Sequence, residues 1–297
     1  MEKINMYDNE GSQFAPKTVS QATIADIDAT YDTINYNGEH IVLPMQHQFG
    51  IKNWASRAAS LQGVAVYDDI MVCVAASPAT THYIYRINND NTLTTLATFT
   101  MNLGHGNALQ FAPIKQSGQY LPYLYVAAID KDNQDRWKTF VLNIDQNHTV
   151  TKVQTIYSAI TSQMLIGDDG HIWGSGRAEE TVTRRQFAKY RRVDVSEGDV
   201  TLTSDDIIES WETEKWYNNT TQTAQGWSVK FGKIWFCYGP AGNGNYRGID
   251  VYDTATQRLD TELDLTNFTT LELEDVDFYA DNMVIATYNG QLFIARF

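Results

Sequence analysis

The residues best suited to chemistry in this chain are three carboxylates, Glu274, Asp275 and Asp277, and one histidine, His105. Asp275 and Asp277 stand two apart, so in a strand they share a face and can pair as the acid and base or nucleophile of glycoside cleavage. His105 has glycine on both sides in Leu103-Gly104-His105-Gly106-Asn107-Ala108-Leu109, which permits unusual backbone angles and close approach to a ligand. Four amides, Gln62, Asn107, Gln163 and Gln225, occupy positions matching Asp275. An amide cannot act as acid or nucleophile, but it both donates and accepts, which suits a hydroxyl-rich ligand or ordered water. The plainer role for all of these residues is to bridge neighbouring elements, since buried polar groups are normally hydrogen-bonded. His47, His82 and His171 have no ligand spacing relative to His105, and no Gly-x-Ser-x-Gly elbow or phosphate loop occurs. Neither a metal nor a cofactor is expected. Cys73 and Cys237 fall in apolar runs and read as buried free thiols.

The elements that would position these side chains repeat. Each polar anchor opens a strand that runs into a turn and a second, apolar strand. Successive anchors Gln62, Asn107, Gln163, Gln225 and Asp275 are 45, 56, 62 and 50 residues apart. In four units the anchor falls seven residues before the same turn position, at Asp69, Gly170, Gly232 and Asn282. Units of this length built from strands are the signature of propeller blades. The third unit is expected to finish with Val200–Leu202, and the fifth ends one strand short. Glu39–Met45, a strand ended by Pro44, is the expected donor of that missing strand, which would remove an open edge. The expected architecture is all-β: a five-bladed β-propeller over residues 38–297, closed by an N-terminal strand and preceded by an arm or adaptor over residues 1–37. The anchors would then ring one mouth of a central channel.

Composition narrows the partners. Lys and Arg number 22 against 36 Asp and Glu, a formal net charge of -14. That opposes nonspecific binding to nucleic acid or anionic membranes. The basic run Arg184–Arg192 interleaves Phe187 and Tyr190, but reads better as an outer-blade strand against an acidic neighbour than as a nucleic-acid strand. No apolar run approaches a membrane span and no secretory leader opens the chain, so the expected location is the cytoplasm or a virion. Trp54, Trp173, Trp227 and Tyr246 fall near inner strands, where aromatic faces can stack on sugars or pack between blades. The loop Gly239–Tyr246 is polar and glycine-rich, of a type that often contacts partners.

The segment Tyr7-Asp8-Asn9-Glu10-Gly11-Ser12-Gln13-Phe14-Ala15-Pro16-Lys17-Thr18 resembles the N-terminal arm of tailed-phage baseplate and tail-fibre proteins. Gly104-His105-Gly106-Asn107, with Gln62-Gly63 and Gln225-Gly226, is similar to small propellers of Gram-positive bacteria and their phages, some implicated in recognising cell-wall glycans. Asn107 is followed by Ala108-Leu109 where related modules often carry an acidic residue, which loosens any transfer of a ligand contact. The resemblance implies a tail or host-recognition protein that binds a surface glycan, cell-wall polymer or protein, with the arm contacting other tail proteins. Its ligand-binding residues would be His105, Asn107, Gln62, Gln163, Gln225, Trp227 and Asp275. The alternatives are a glycoside hydrolase or lyase at Asp275, Asp277 and His105, and a scaffold that only docks proteins.

Overall fold

The computed structural model describes residues 31–36, 39–50, 61–76, 81–89, 92–176, 182–240, 244–266, 271–279, 282–288 and 290–296. Residues 1–30 of the expected arm, Trp54 and part of the loop Gly239–Tyr246 lie outside them. A hairpin opens the described chain, with β1 (Tyr31–Tyr36) antiparallel to the first half of β2 (Glu39–Gly50). Blade one follows as β3 (Leu61–Tyr67), β4 (Ile70–Ala75), β5 (Thr81–Ile87) and β6 (Leu93–Thr100), paired in that order. Blade two is β7 (Ala108–Phe111), β8 (Leu124–Lys131), β9 (Trp137–Ile144) and β10 (Val150–Ser158). Blade three takes β11 (Gln163–Ile166), β12 (Ile172–Ser175) and β13 (Val182–Tyr190). After a detour through β14 (Val200–Leu202) it is completed by β15 (Ile207–Asn218). Blade four is β16 (Gln222–Lys230), β17 (Lys233–Pro240), β18 (Gly248–Asp253) and β19 (Arg258–Asp264). Blade five runs β20 (Leu273–Tyr279), β21 (Asn282–Thr287) and β22 (Gln291–Arg296), then takes β2 and β1 from the N-terminal side.

The innermost strands β3, β7, β11, β16 and β20 touch in that cyclic order, and β20 returns to β3. The molecule is a five-bladed β-propeller. The second strand of a blade is covered on both faces, which is why Met71-Val72-Cys73-Val74 and Trp235-Phe236-Cys237-Tyr238 are continuously apolar and fully or almost fully buried. The cores lie between blades. Val64, Met71 and Cys73 of blade one meet Val284 and Leu292 of blade five, while Trp235, Cys237 and Val251 of blade four meet Val276 and Phe278. Both cysteines are free and buried.

Two expectations about strands need correction. β2 does not end at Pro44 but continues to Gly50. Its residues 39–44 pair with β1, and Met45 and His47–Gly50 pair with β22. Pro44 sits where the strand changes partners, beside a register shift between Met45 and His47, a position that tolerates a missing N–H. Val200–Leu202 does not close blade three. It adds to blade two, parallel to β10, and turns at Asp194–Glu197 and Thr203–Asp206, each with a reciprocal capping box, steer the chain there and back. The outer strand of blade three is β15, in which exposed Ser210, Glu212 and Glu214 alternate with buried Trp211 and Thr213, the pattern of a half-exposed edge.

Candidate functional site

The amides assigned to the inner ring do meet. Asn107 Nδ2 donates to Gln225 Oε1 at 3.0 Å, and Gln163 Nε2 donates to the Gln225 carbonyl at 3.3 Å. Gln225 Nε2 in turn donates to Glu272 Oε1 at 2.6 Å, and Gln62 hydrogen-bonds the Glu274 carboxyl. All five blades thus contribute to one polar cluster where the inner strands begin. The four amides are each 5–6% exposed. Two buried oxygens in the cluster, Asn107 Oδ1 and Glu274 Oε2, have no hydrogen-bond partner. Burial pushes the Glu274 carboxyl up to about 10, with Glu272 and Asp275 adding to the shift, so at neutral pH it is a protonated acid able to donate. Burial also raises Glu272, against the opposing effects of Gln225 and Arg247.

The member from blade five is Glu274, not Asp275. In β3 the register skips Gln62 between Leu61 and Gly63, and in β20 it skips Glu274 between Leu273 and Asp275. β16 shows the same irregularity between Ala224 and Trp227, around Gln225. A bulge turns the extra residue off the regular alternation, which is how these side chains reach the mouth. The usable signal was the turn. Tyr67↔Ile70, Lys230↔Lys233 and Tyr279↔Asn282 close the hairpins, and the anchor lies five residues before the first member of each pair. Glu272, which lies before β20, carried no such signal.

Asp275 sits one layer deeper and fills the axis. Its side chain is fully buried. Oδ2 accepts from the backbone N–H of Val64 at 3.0 Å and Leu109 at 3.3 Å, and Oδ1 from Val276 at 2.9 Å. Gly63 and Gly226 make this convergence possible. A Cβ on Gly63 would overlap Leu109 Cδ1 and Gly106 O, and one on Gly226 would overlap Asn107 O and Asp275 Oδ1. The repeated Gln-Gly is therefore a close-approach device. Beyond it, Gln110 exchanges two hydrogen bonds with the Val229 backbone across the axis, at 2.8 and 2.9 Å. Asp277, also fully buried, accepts from the Val66 N–H at 2.6 Å and pairs with Lys230 at 2.6 Å. Burial raises both aspartates above the usual carboxylate range. These carboxyls are consumed in joining blades, so the acid pair expected at Asp275 and Asp277 does not face an open surface.

His105 is exposed, on a loop whose flanking Gly104 and Gly106 have φ of 64° and 59°. Trp227, expected to wall a ligand site, is instead fully buried against Phe187 and Phe236, and Trp173 is core as well. Tyr246 is half-buried near Lys215. The basic run meets acids: Lys189 pairs with Asp169 at 2.8 Å, and Arg191 with Asp206 at 2.8 Å and Glu197 at 2.9 Å. Among the described residues no group of three or more His, Cys, Asp or Glu could hold a metal ion, and no helix is long and apolar enough to cross a membrane.

Neither a family model nor a curated protein matches the chain. Similar solved structures include a GH43_1 enzyme from Xanthomonas citri, 12% identical over 80% of this chain and 87% of that one, with a TM-score of 0.47. The RS223 beta-xylosidase is 10% identical over 84% of this chain and 94% of its own, with a TM-score of 0.47. A catalytically inactive virginiamycin B lyase from Staphylococcus aureus with quinupristin is 12% identical, over 84% of this chain and 98% of its own, with a TM-score of 0.38. At these values the likeness decides nothing about activity.

Proposed function

We propose that the chain is a non-enzymatic binding module that takes a hydroxyl-rich surface glycan at the mouth formed by Gln62, Asn107, Gln163, Gln225, Glu272 and Glu274. One observation carries this reading: Asn107 Oδ1 and Glu274 Oε2 are buried oxygens left without hydrogen-bond partners in a cluster supplied by all five blades. A sugar hydroxyl would donate to Asn107 Oδ1 and accept from a protonated Glu274. Catalysis is the weaker reading. Glycoside cleavage needs two carboxyls flanking one bond. Asp275 and Asp277 are occupied by backbone amides, and Glu272 and Glu274 arrive on the same stretch of chain. The setting that goes with this reading is a phage tail or host-recognition component, supported by the resemblance of residues 7–18 and tested by host-cell binding of the intact chain.

A glycan array with the intact protein, followed by titration of the best hit, tests the site. Asn107→Ala and Gln62→Ala are expected to weaken binding by about tenfold each, the effect of one lost hydrogen bond. A blank array and blank host-cell binding would sink the reading. Hydrolysis of any oligosaccharide that disappears in Glu274→Gln would replace it with the enzymatic one.

A further inference from the structure

We propose that the glycan bound at this mouth is acidic and that Arg185 receives its carboxylate or phosphate group; the inference rests on the glycan-binding reading above. Arg185 lies in β13 and is 4% exposed. The register jumps from Arg184↔Trp216 to Gln186↔Glu212, so Arg185 alone faces residues 213–215 of β15. Its backbone N–H is held by Thr213 Oγ1 at 2.9 Å. Such a bulge re-aims one side chain, and here it sends the guanidinium among the rings of Tyr217, Phe236 and Tyr238, at 5.4, 5.6 and 5.6 Å from their centroids.

Rings attract a cation but offer it no in-plane acceptors. Arg185 Nη2 has only a long contact to Asn219 Oδ1 at 3.4 Å, the Tyr238 hydroxyl is the other polar neighbour, and Nε is buried with no acceptor. Among the described residues no carboxylate forms an ion pair with it. The buried acid of this cluster, Asp250, is taken by Lys215 at 3.0 Å and the Tyr217 hydroxyl at 2.6 Å. Lys189 and Arg191, further along the same run, have their carboxylates. Asp250 lies close enough to feel the Arg185 charge but, among the described residues, no carboxylate touches the guanidinium, whose planar fork matches the oxygens of a carboxylate or phosphate. Its position suits the ring. Tyr238, beneath Arg185, pairs with Ala224, the residue before Gln225. Gln163 and Phe187 both pair with Ser175, so Arg185 and the anchors lie at the same end of the propeller.

Calorimetric titration of the intact chain with oligogalacturonate, a glycerol-phosphate polymer and a neutral malto-oligosaccharide of matched length tests this. Wild type is expected to prefer one anionic polymer by tenfold or more, with the preference falling as salt rises. Arg185→Gln should abolish the preference, Arg185→Lys should retain part of it, and which polymer binds separates carboxylate from phosphate. If Arg185→Gln does not fold, Asn219→Ala should still reduce the preference. Equal affinity for neutral and anionic polymers, or a preference untouched by either Arg185→Gln or Asn219→Ala, overturns the proposal and leaves the glycan reading standing. Binding of none of the three overturns this inference, while the glycan reading falls only with a blank array and blank host-cell binding.

Discussion

At the scale of single residues, Asp275 does the most structural work. Its two oxygens take backbone N–H groups from blades one, two and five. Asp275→Asn would set an NH2 group against those donors, and Asp275→Leu would leave them all without an acceptor. Both should cost about 2–4 kcal/mol in chemical denaturation, with the leucine variant the worse of the two. Gly226→Ala is a sharper probe of the same point, because the added methyl meets backbone oxygens of Asn107 and Glu274 that cannot move aside. It should destabilise the protein at least as much as Asp275→Asn, read as a fall in the denaturation midpoint with an unchanged slope. Anchor variants behave differently: Asn107→Ala removes a side chain whose Oδ1 is already unmatched, so binding should suffer more than stability.

At the scale of elements, the closure of blade five is the vulnerable joint. Met45 and His47–Gly50 cover the edge of β22, and β1 in turn covers β2. A chain starting at residue 51 would expose β22 as an unpaired edge, and should show a Tm lower by roughly 10 °C or more and concentration-dependent aggregation in light scattering. The N-terminal donor was legible as a strand, Glu39–Met45, lying outside the five repeated units. Its register was not, since Pro44 marks a change of pairing partner and not a strand end. Blade three shows the complementary limit. Gln163 and the turn at Gly170 fix its inner hairpin, but β15 mixes glutamates with exposed Ile208 and Trp216, and nothing local says that Val200–Leu202 crosses to another sheet. The mouth was legible as amides at repeated spacing. The substitution of Glu274 for Asp275 turned on a bulge, which shifts side chains by one position without changing the hydrophobic pattern.

At the scale of the whole molecule, four buried acids tie stability to pH. Burial raises Asp250 to about 7 and Glu274 to about 10, and lifts Asp275 and Asp277 in the same direction. The folded state therefore holds more protons than the unfolded chain, and the resulting stability is lost as pH rises through these folded values. The carboxylates Asp132 and Asp206, half-buried, and Asp194 and Glu197, exposed, are lowered by their hydrogen bonds, so their contribution disappears in acid instead. Thermal melts should be highest near about pH 4 and decline steadily toward about pH 9. Asp250→Asn should flatten the part of that decline below neutrality. The axial carboxyl has one more consequence. Asp275 spans from its own blade to the strands of the next two at hydrogen-bonding distance, a reach that only a ring of this circumference permits. It acts as a gauge of blade number: a sixth blade would widen the inner circle and carry Asp275 away from at least one of the two strands it now joins.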